Sequence, residues 1–236
     1  MAPRAHLAVV TFLLATGMAQ AAGVLDGKVY IVQVTIGDQA AEEHLLFAAG
    51  GFDALADHGL GFGSSIYTSV SAGGAVGFTA ETESAKEGSR LWKGTVEGES
   101  LSGVMKWWRP GAKVIESSYT GKLAPPLFQR LGGAEAVATL AGNLVQRLAK
   151  HARKASPEVA AEVVAGVTAW LTRLGGGPDA GGAGTLREAA AALRLSDKDL
   201  AGAAAALADV LDSSQVAKLD AQEVLALLAR EPAPAP

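Results

Sequence analysis

Apolar residues recur at every second position in the first half of this chain and at every third or fourth position in the second. Val29 to Ile36 (VYIVQVTI) sets the first pattern, with Tyr30, Val32, Val34 and Ile36 on one face of a strand. The same alternation predicts strands at His44–Phe47, Ile66–Val70, Val76–Glu83, Leu91–Glu97, Leu101–Trp108 and Ser118–Leu123. Gly50-Gly51, Gly73-Gly74, Gly98 and Gly111 punctuate them as turn residues that tolerate positive φ. Leu91 to Trp108 reads as a hairpin turning at "EGES". Trp92 and Val96 share one face of its first strand, and Leu101, Met105 and Trp107 share one face of its second. Trp107 and Trp108 must then point to opposite faces, which leaves one ring exposed or covered by the helices. Seven or so short strands over residues 23–123 imply an antiparallel β-barrel or sandwich. So short a barrel is expected to be filled by its own side chains.

Leu123-Ala124-Pro125-Pro126 ends the strand pattern, with residues 124–126 as a linker, and residues 127–230 are helical in period. From Ala134 to Lys154, the residues Val137, Leu140, Ala141, Leu144, Leu148 and His151 form one stripe. Ser156-Pro157 opens the next helix, whose face is Val159, Val163, Val167, Trp170, Leu171 and Leu174, and Gly175-Gly176-Gly177-Pro178 ends it. Thr185 with Glu188, and Asp220 with Glu223, have capping-box spacing; Ser196 caps a helix with Asp199 in the acidic third place. Leu219 and Val224 would be the hydrophobic staple of the last helix. Residues 231–236 (EPAPAP) read as a disordered tail. The fold class expected is therefore α+β in two domains, a β-barrel or sandwich followed by an all-α bundle.

Three stretches of the second half resemble, in order, the truncated (group 1) haemoglobins. "LFQRLGG" (Leu127 to Gly133) is similar to the opening of that family's first long helix. "AWLTRLGGGP" (Ala169 to Pro178) is similar to the end of its E helix, and "LREAAAALRLSDKDL" (Leu186 to Leu200) to its F helix. The strand half resembles, in pattern alone, a small lipocalin-like or calycin-like barrel. The globin resemblance implies a truncated-globin-like bundle over residues 127–230. It places the family's iron-binding histidine on Ala190, its first-helix aromatic pair on Leu144-Val145, and its polar distal position near Val167, with Trp170 alongside as a lining residue. An alanine methyl offers iron no lone pair, and haem needs an axial ligand from the protein. The resemblance therefore implies a degenerate globin module that has lost haem binding. The alternative is haem or oxygen binding with non-standard ligation, for which His151 is the candidate ligand.

Composition narrows the function classes. The chain has 236 residues, a net charge of −4 and no long basic stretch, which argues against nucleic acid. Arg4, the apolar run Leu7 to Leu14 and Ala19-Gln20-Ala21 read as a signal peptide over residues 1–22, cleaved near Ala21-Ala22. That run is too short to span a bilayer, so the expectation is an exported, periplasmic or secreted protein without membrane insertion. With no cysteine, both halves must hold by packing alone. "ADHGLGFGSS" (Ala56 to Ser65) brings Asp57 and His58 together as an acid–base pair for hydrolysis. It lacks a second histidine at metal spacing and any G-x-S-x-G, and reads as a solvated loop. Glu81, Glu83 and Glu87 read as a solvated strand edge. The expected function is a non-enzymatic binding or interaction protein without metal or cofactor, its partner an apolar small molecule or another protein.

Overall fold

The computed structural model describes residues 23–149, 157–178 and 202–230. The signal-peptide reading, the tail, the devices at Thr185 and Ser196, and both Ala190 and His151 lie outside those residues.

Eight strands form a closed barrel: β1 (Lys28–Ile36), β2 (Gln39–Ala48), β3 (Gly51–Ala54), β4 (Ser65–Ala72), β5 (Ala75–Ser84), β6 (Gly88–Glu97), β7 (Ser100–Trp108) and β8 (Ile115–Leu123). Each strand pairs antiparallel with its sequence neighbour, and β1 closes on β8 with Tyr30 opposite Leu123. Closure removes the open strand edges that would otherwise invite pairing with other chains. Period-two alternation sends Tyr30, Val32, Val34, Leu45, Phe47, Phe78, Trp92, Met105 and Tyr119 inward, all of them buried. The interior is filled. The Phe47 ring stands edge-on to Phe78, Tyr67 and Phe52 at centroid distances of 4.9, 5.1 and 5.3 Å, and Trp92 lies 5.5 Å from Tyr119. Trp107 points inward and Trp108 outward, as their adjacency requires.

β3 is the strand that hydropathy misses. Its sequence, GFDA, carries one apolar ring, one acid and a glycine that reads as turn. The turn is instead Ala49-Gly50, with φ of 52° and 73°, and Ala48 pairs with Gly51 across it. Two consecutive positive φ values make the tight hairpin connection whose twist matches that of its strands.

A 3₁₀ turn, Ala56–Leu60, follows β3 and corrects the reading of Ala56–Ser65 as a solvated loop: Asp57 and Phe62 are buried. Glu81 and Glu83 are exposed, as an edge of solvated acids should be.

The helices described are α1 (Leu127–Arg130), α2 (Gly133–Ala149), α3 (Pro157–Leu174), α4 (Ala203–Ser213) and α5 (Lys218–Ala229). The fold class expected for this half is overturned. In place of a truncated-globin-like bundle, the described residues form a few helices, five in number with the first a single turn, packed beside the barrel. The physical reason lies in α5. It gives Val224 to the helical core, but its first turns direct Asp220 and Glu223 towards the barrel, whose strand β2 it contacts, so one side of the helix serves the seam and not a bundle. The capping box and staple expected at Asp220 fail for the same reason. The helix begins at Lys218 without a side-chain cap, and Asp220 and Glu223 are committed elsewhere. The apolar stripes of α2 and α3 do pack as their period demands, into one core with α4.

Two inward glycines, Gly94 and Gly103, face each other across β6 and β7 and let the barrel pack its aromatic rings. A Cβ at Gly103 would stand 2.2 Å from the Lys93 carbonyl oxygen and 2.5 Å from the Tyr119 ring, whereas one at Gly59 would meet nothing within 4 Å. We expect Gly103→Ala to destabilise the protein by about 3 kcal/mol through overpacking, and Gly59→Ala to stay within about 0.5 kcal/mol of wild type. Denaturant unfolding of the two variants measures both.

Candidate functional site at the seam between barrel and helices

The outer face of β2 and β3 is where the two halves meet. Alternation puts His44 and Leu46 on that face, and Leu46 pairs with Asp53 of β3. All three are buried, although two are polar, because α5 and its flanks cover them.

Each end of α5 is anchored by charge. At its first turns, the Arg130 guanidinium donates through one Nη to Asp220 Oδ1 and through the other to both Glu223 carboxylate oxygens, at 2.7 and 2.6 Å. Arg130 Nε donates to the Pro125 carbonyl oxygen at 3.0 Å, which fixes the fork. The His44 ring lies beside this cluster, Nδ1 at 3.9 Å from Asp220 Oδ1 and 3.8 Å from Glu223 Oε2, with Nε2 at 3.6 Å from Glu42. Just past the helix, Arg230 donates to the Ala48 carbonyl oxygen at 3.1 Å and to Asp53 Oδ2. Asp53 Oδ1 lies 3.0 Å from His58 Nε2. Burial works against the Asp53 charge, yet hydrogen bonds from His58 and Ser64 and the Arg230 guanidinium outweigh it, so its carboxyl is held below the usual range.

Beside the second anchor lies a cleft of about 530 Å³. His58 and Ser64 line it from the barrel, and Gln222, Leu225, Ala226, Ala229 and Arg230 from the helix. One wall therefore carries an imidazole, a hydroxyl and a guanidinium, and the other is mostly aliphatic. The Gln222 side-chain amide oxygen, Oε1, is buried without a hydrogen-bond partner. Ser64 is exposed and the His58 side chain is 31% exposed, with the fully buried Asp53 behind the ring.

The acid–base pair expected at Asp57 and His58 is not formed as such. The imidazole takes Asp53 as its partner, while Asp57 points under the 3₁₀ turn to the Arg90 guanidinium at the mouth of the barrel. Arg90 is stacked on Trp107 at 3.9 Å and on Phe62 at 4.7 Å. Burial raises the Asp57 pKa despite the opposing pull of Arg90. Glu43 lies nearby on the inner face of β2, accepting from the backbone N–H groups of His44 and Ala56 at 2.9 and 2.7 Å. Burial and the Asp57 charge push its carboxyl up to about 8, so it is neutral at pH 7.

The positions named for a haem pocket have another use among the described residues. Leu144, Val145, Val167 and Trp170 are all buried in the helical core, in one cluster with Leu140, Leu207 and Leu211. Sequence reasoning missed Asp53, Arg130, Arg230 and the part of His44. The one available signal was an acid inside the apolar neighbourhood Phe52-Asp53-Ala54. Among the described residues, His44, Asp220 and Glu223 form the group whose donor atoms, within 4.8 Å of one another, could surround a metal ion. Arg130 already supplies a cation to the same oxygens, so the set fits a metal poorly. No protein-family model matches the chain, and no curated protein matches it.

The raised Glu43 carboxyl has a measurable consequence. Between its ordinary value of 4.5 and about 8, the folded protein holds a proton that the unfolded chain releases. Stability must then fall as pH rises through that window and level off above it. We expect Glu43→Gln, which keeps the acceptor for both N–H groups, to be more stable than wild type at pH 8.5. Its denaturation midpoint should also change less between pH 5 and 8.5.

Proposed function

We propose that this is an exported, non-enzymatic protein that binds a small amphipathic molecule in the cleft between α5 and the barrel. The observation that carries the reading is the division of that cleft, His58, Ser64 and Arg230 facing Leu225, Ala226 and Ala229. Ligand sites of this kind combine aliphatic walls with a few fixed polar groups, and they favour the junctions between structural units. Asp53 holds the imidazole in place through Nε2, and the ring's other nitrogen is the group a ligand's polar end would meet. The filled barrel interior supports a site at the seam rather than inside the strands.

A hydrolytic reading has one observation in its favour, the His58–Asp53 pair. Covalent catalysis by such a pair calls for a side-chain nucleophile on the free imidazole nitrogen. Here the neighbouring hydroxyl, Ser64, bonds Asp53 instead. Binding is the better account.

Titration with 1-anilinonaphthalene-8-sulfonate tests it. Wild type should enhance the dye's fluorescence saturably, and Ala226→Trp, which fills the cleft, should weaken binding at least tenfold, a loss of about 1.4 kcal/mol. Equal binding by the variant would remove the cleft from the proposal. Steady hydrolysis of p-nitrophenyl acetate, abolished in His58→Ala, would move the protein to the enzymes.

A further inference from the structure

The first anchor of α5 carries an unbalanced charge. Asp220 and Glu223 contribute two negative charges and Arg130 one positive, in a cluster whose side chains are between 3% and 11% exposed. A buried net charge is costly unless something compensates it. The side chain placed to do so is His44, which is 4% exposed and directs Nδ1, without any hydrogen-bond partner, at the two carboxylates. At 3.8 and 3.9 Å, a neutral ring leaves that nitrogen unused. A single proton on His44 brings the two carboxylates and two cations to zero. A divalent metal on the same oxygens would leave the buried cluster at plus one.

We propose that His44 is a proton-operated latch between the halves, its imidazolium form clamping α5 onto β2 and its neutral form letting the helix lift. The groups facing it are few. Glu42 on its own strand reaches Nε2 from the solvent side, Asp220 and Glu223 come from α5, and Arg130 comes from α1 behind them. Across β1 its pair is the uncharged Ile31, and the next residue in that row is Lys122 of β8. Only while α5 is docked does a charge on the ring face the two carboxylates, so the docked helix is held tighter by the charged ring than by the neutral one. The latch does not depend on what occupies the cleft, although the helix it controls is the wall of that cleft.

Hydrogen exchange of α5, corrected for intrinsic rates, tests the idea on the whole protein. In wild type, protection of α5 at pH 5.5 should exceed that at pH 8.0 by about tenfold, the scale of one partly screened ion pair at about 4 Å. His44→Gln should reduce that ratio below about twofold, while His58→Gln, at the other end of the helix, should keep it. A ratio that follows His58, or one that His44→Gln leaves unchanged, overturns the proposal. Should His44→Gln fail to fold, ¹⁵N spectroscopy of the imidazole in wild type decides. A cationic ring at pH 5.5 with a protected Nδ1–H supports the latch, and a neutral ring rejects it. One equivalent of zinc retained through dialysis would also reject it, since the metal would then stand where the proton is placed.

Discussion

A carboxylate taken out of water must find a positive partner, and that constraint organises the join between the two halves of this protein. Asp53, Asp220 and Glu223 are all buried where α5 crosses the barrel. Each is met by an arginine that reaches in from a chain turn beside the helix, Arg130 from before α2 and Arg230 from after α5. Such pairs add little net stability over an apolar contact, but losing one partner strands the other at a cost of about 3–5 kcal/mol. Their effect is to make the docking specific. An aliphatic stripe could slide along the sheet, whereas two guanidinium forks at opposite ends of one helix admit a single placement. The cleft is a by-product of that placement, opened where the aliphatic residues of α5 stand off from His58 and Ser64.

The barrel provides the rigid half of the join, and it too concentrates charge at one mouth. Arg90, stacked between Trp107 and Phe62, holds Asp57 and so ties down the 3₁₀ turn that carries His58. Glu43 sits close enough to feel the Asp57 charge and remains neutral. Its two N–H donors come from His44 and Ala56. One acid thus braces the strand that bears the first anchor and the turn that bears the second, linking the mouth chemistry to the seam through backbone rather than side chains.

Legibility in the sequence followed the physics of each element. Strands buried on one face announce themselves by period two, and β1, β5, β6 and β7 fall close to where alternation puts them. β3 is short, begins at a glycine and buries an acid, so it has no such period. The stripes of α2 and α3 were equally plain, because each packs an apolar face into a common core. Asp220 and Glu223 misled for a definable reason. Their spacing suits both a capping box and one face of a helix turned towards a distant arginine, and local spacing cannot separate the two. A likeness of helix starts and ends to a known family carried no information on how those helices are arranged.

What the sequence determined alone was local and periodic: the strands with a clear alternation, the helical stripes, the inward tryptophans, and the change of period at Pro125-Pro126. Only the tertiary structure decided that the strands close into a barrel and not a sandwich, and that the helices lie beside it without forming the expected bundle. It also decided which side chains meet. Arg130 and Glu223 are 93 residues apart in the chain, and Arg230 and Asp53 are 177 apart. Charge pairing over such distances leaves no period to read, because its partners are selected by where the backbone brings them and by the need to neutralise what folding buries.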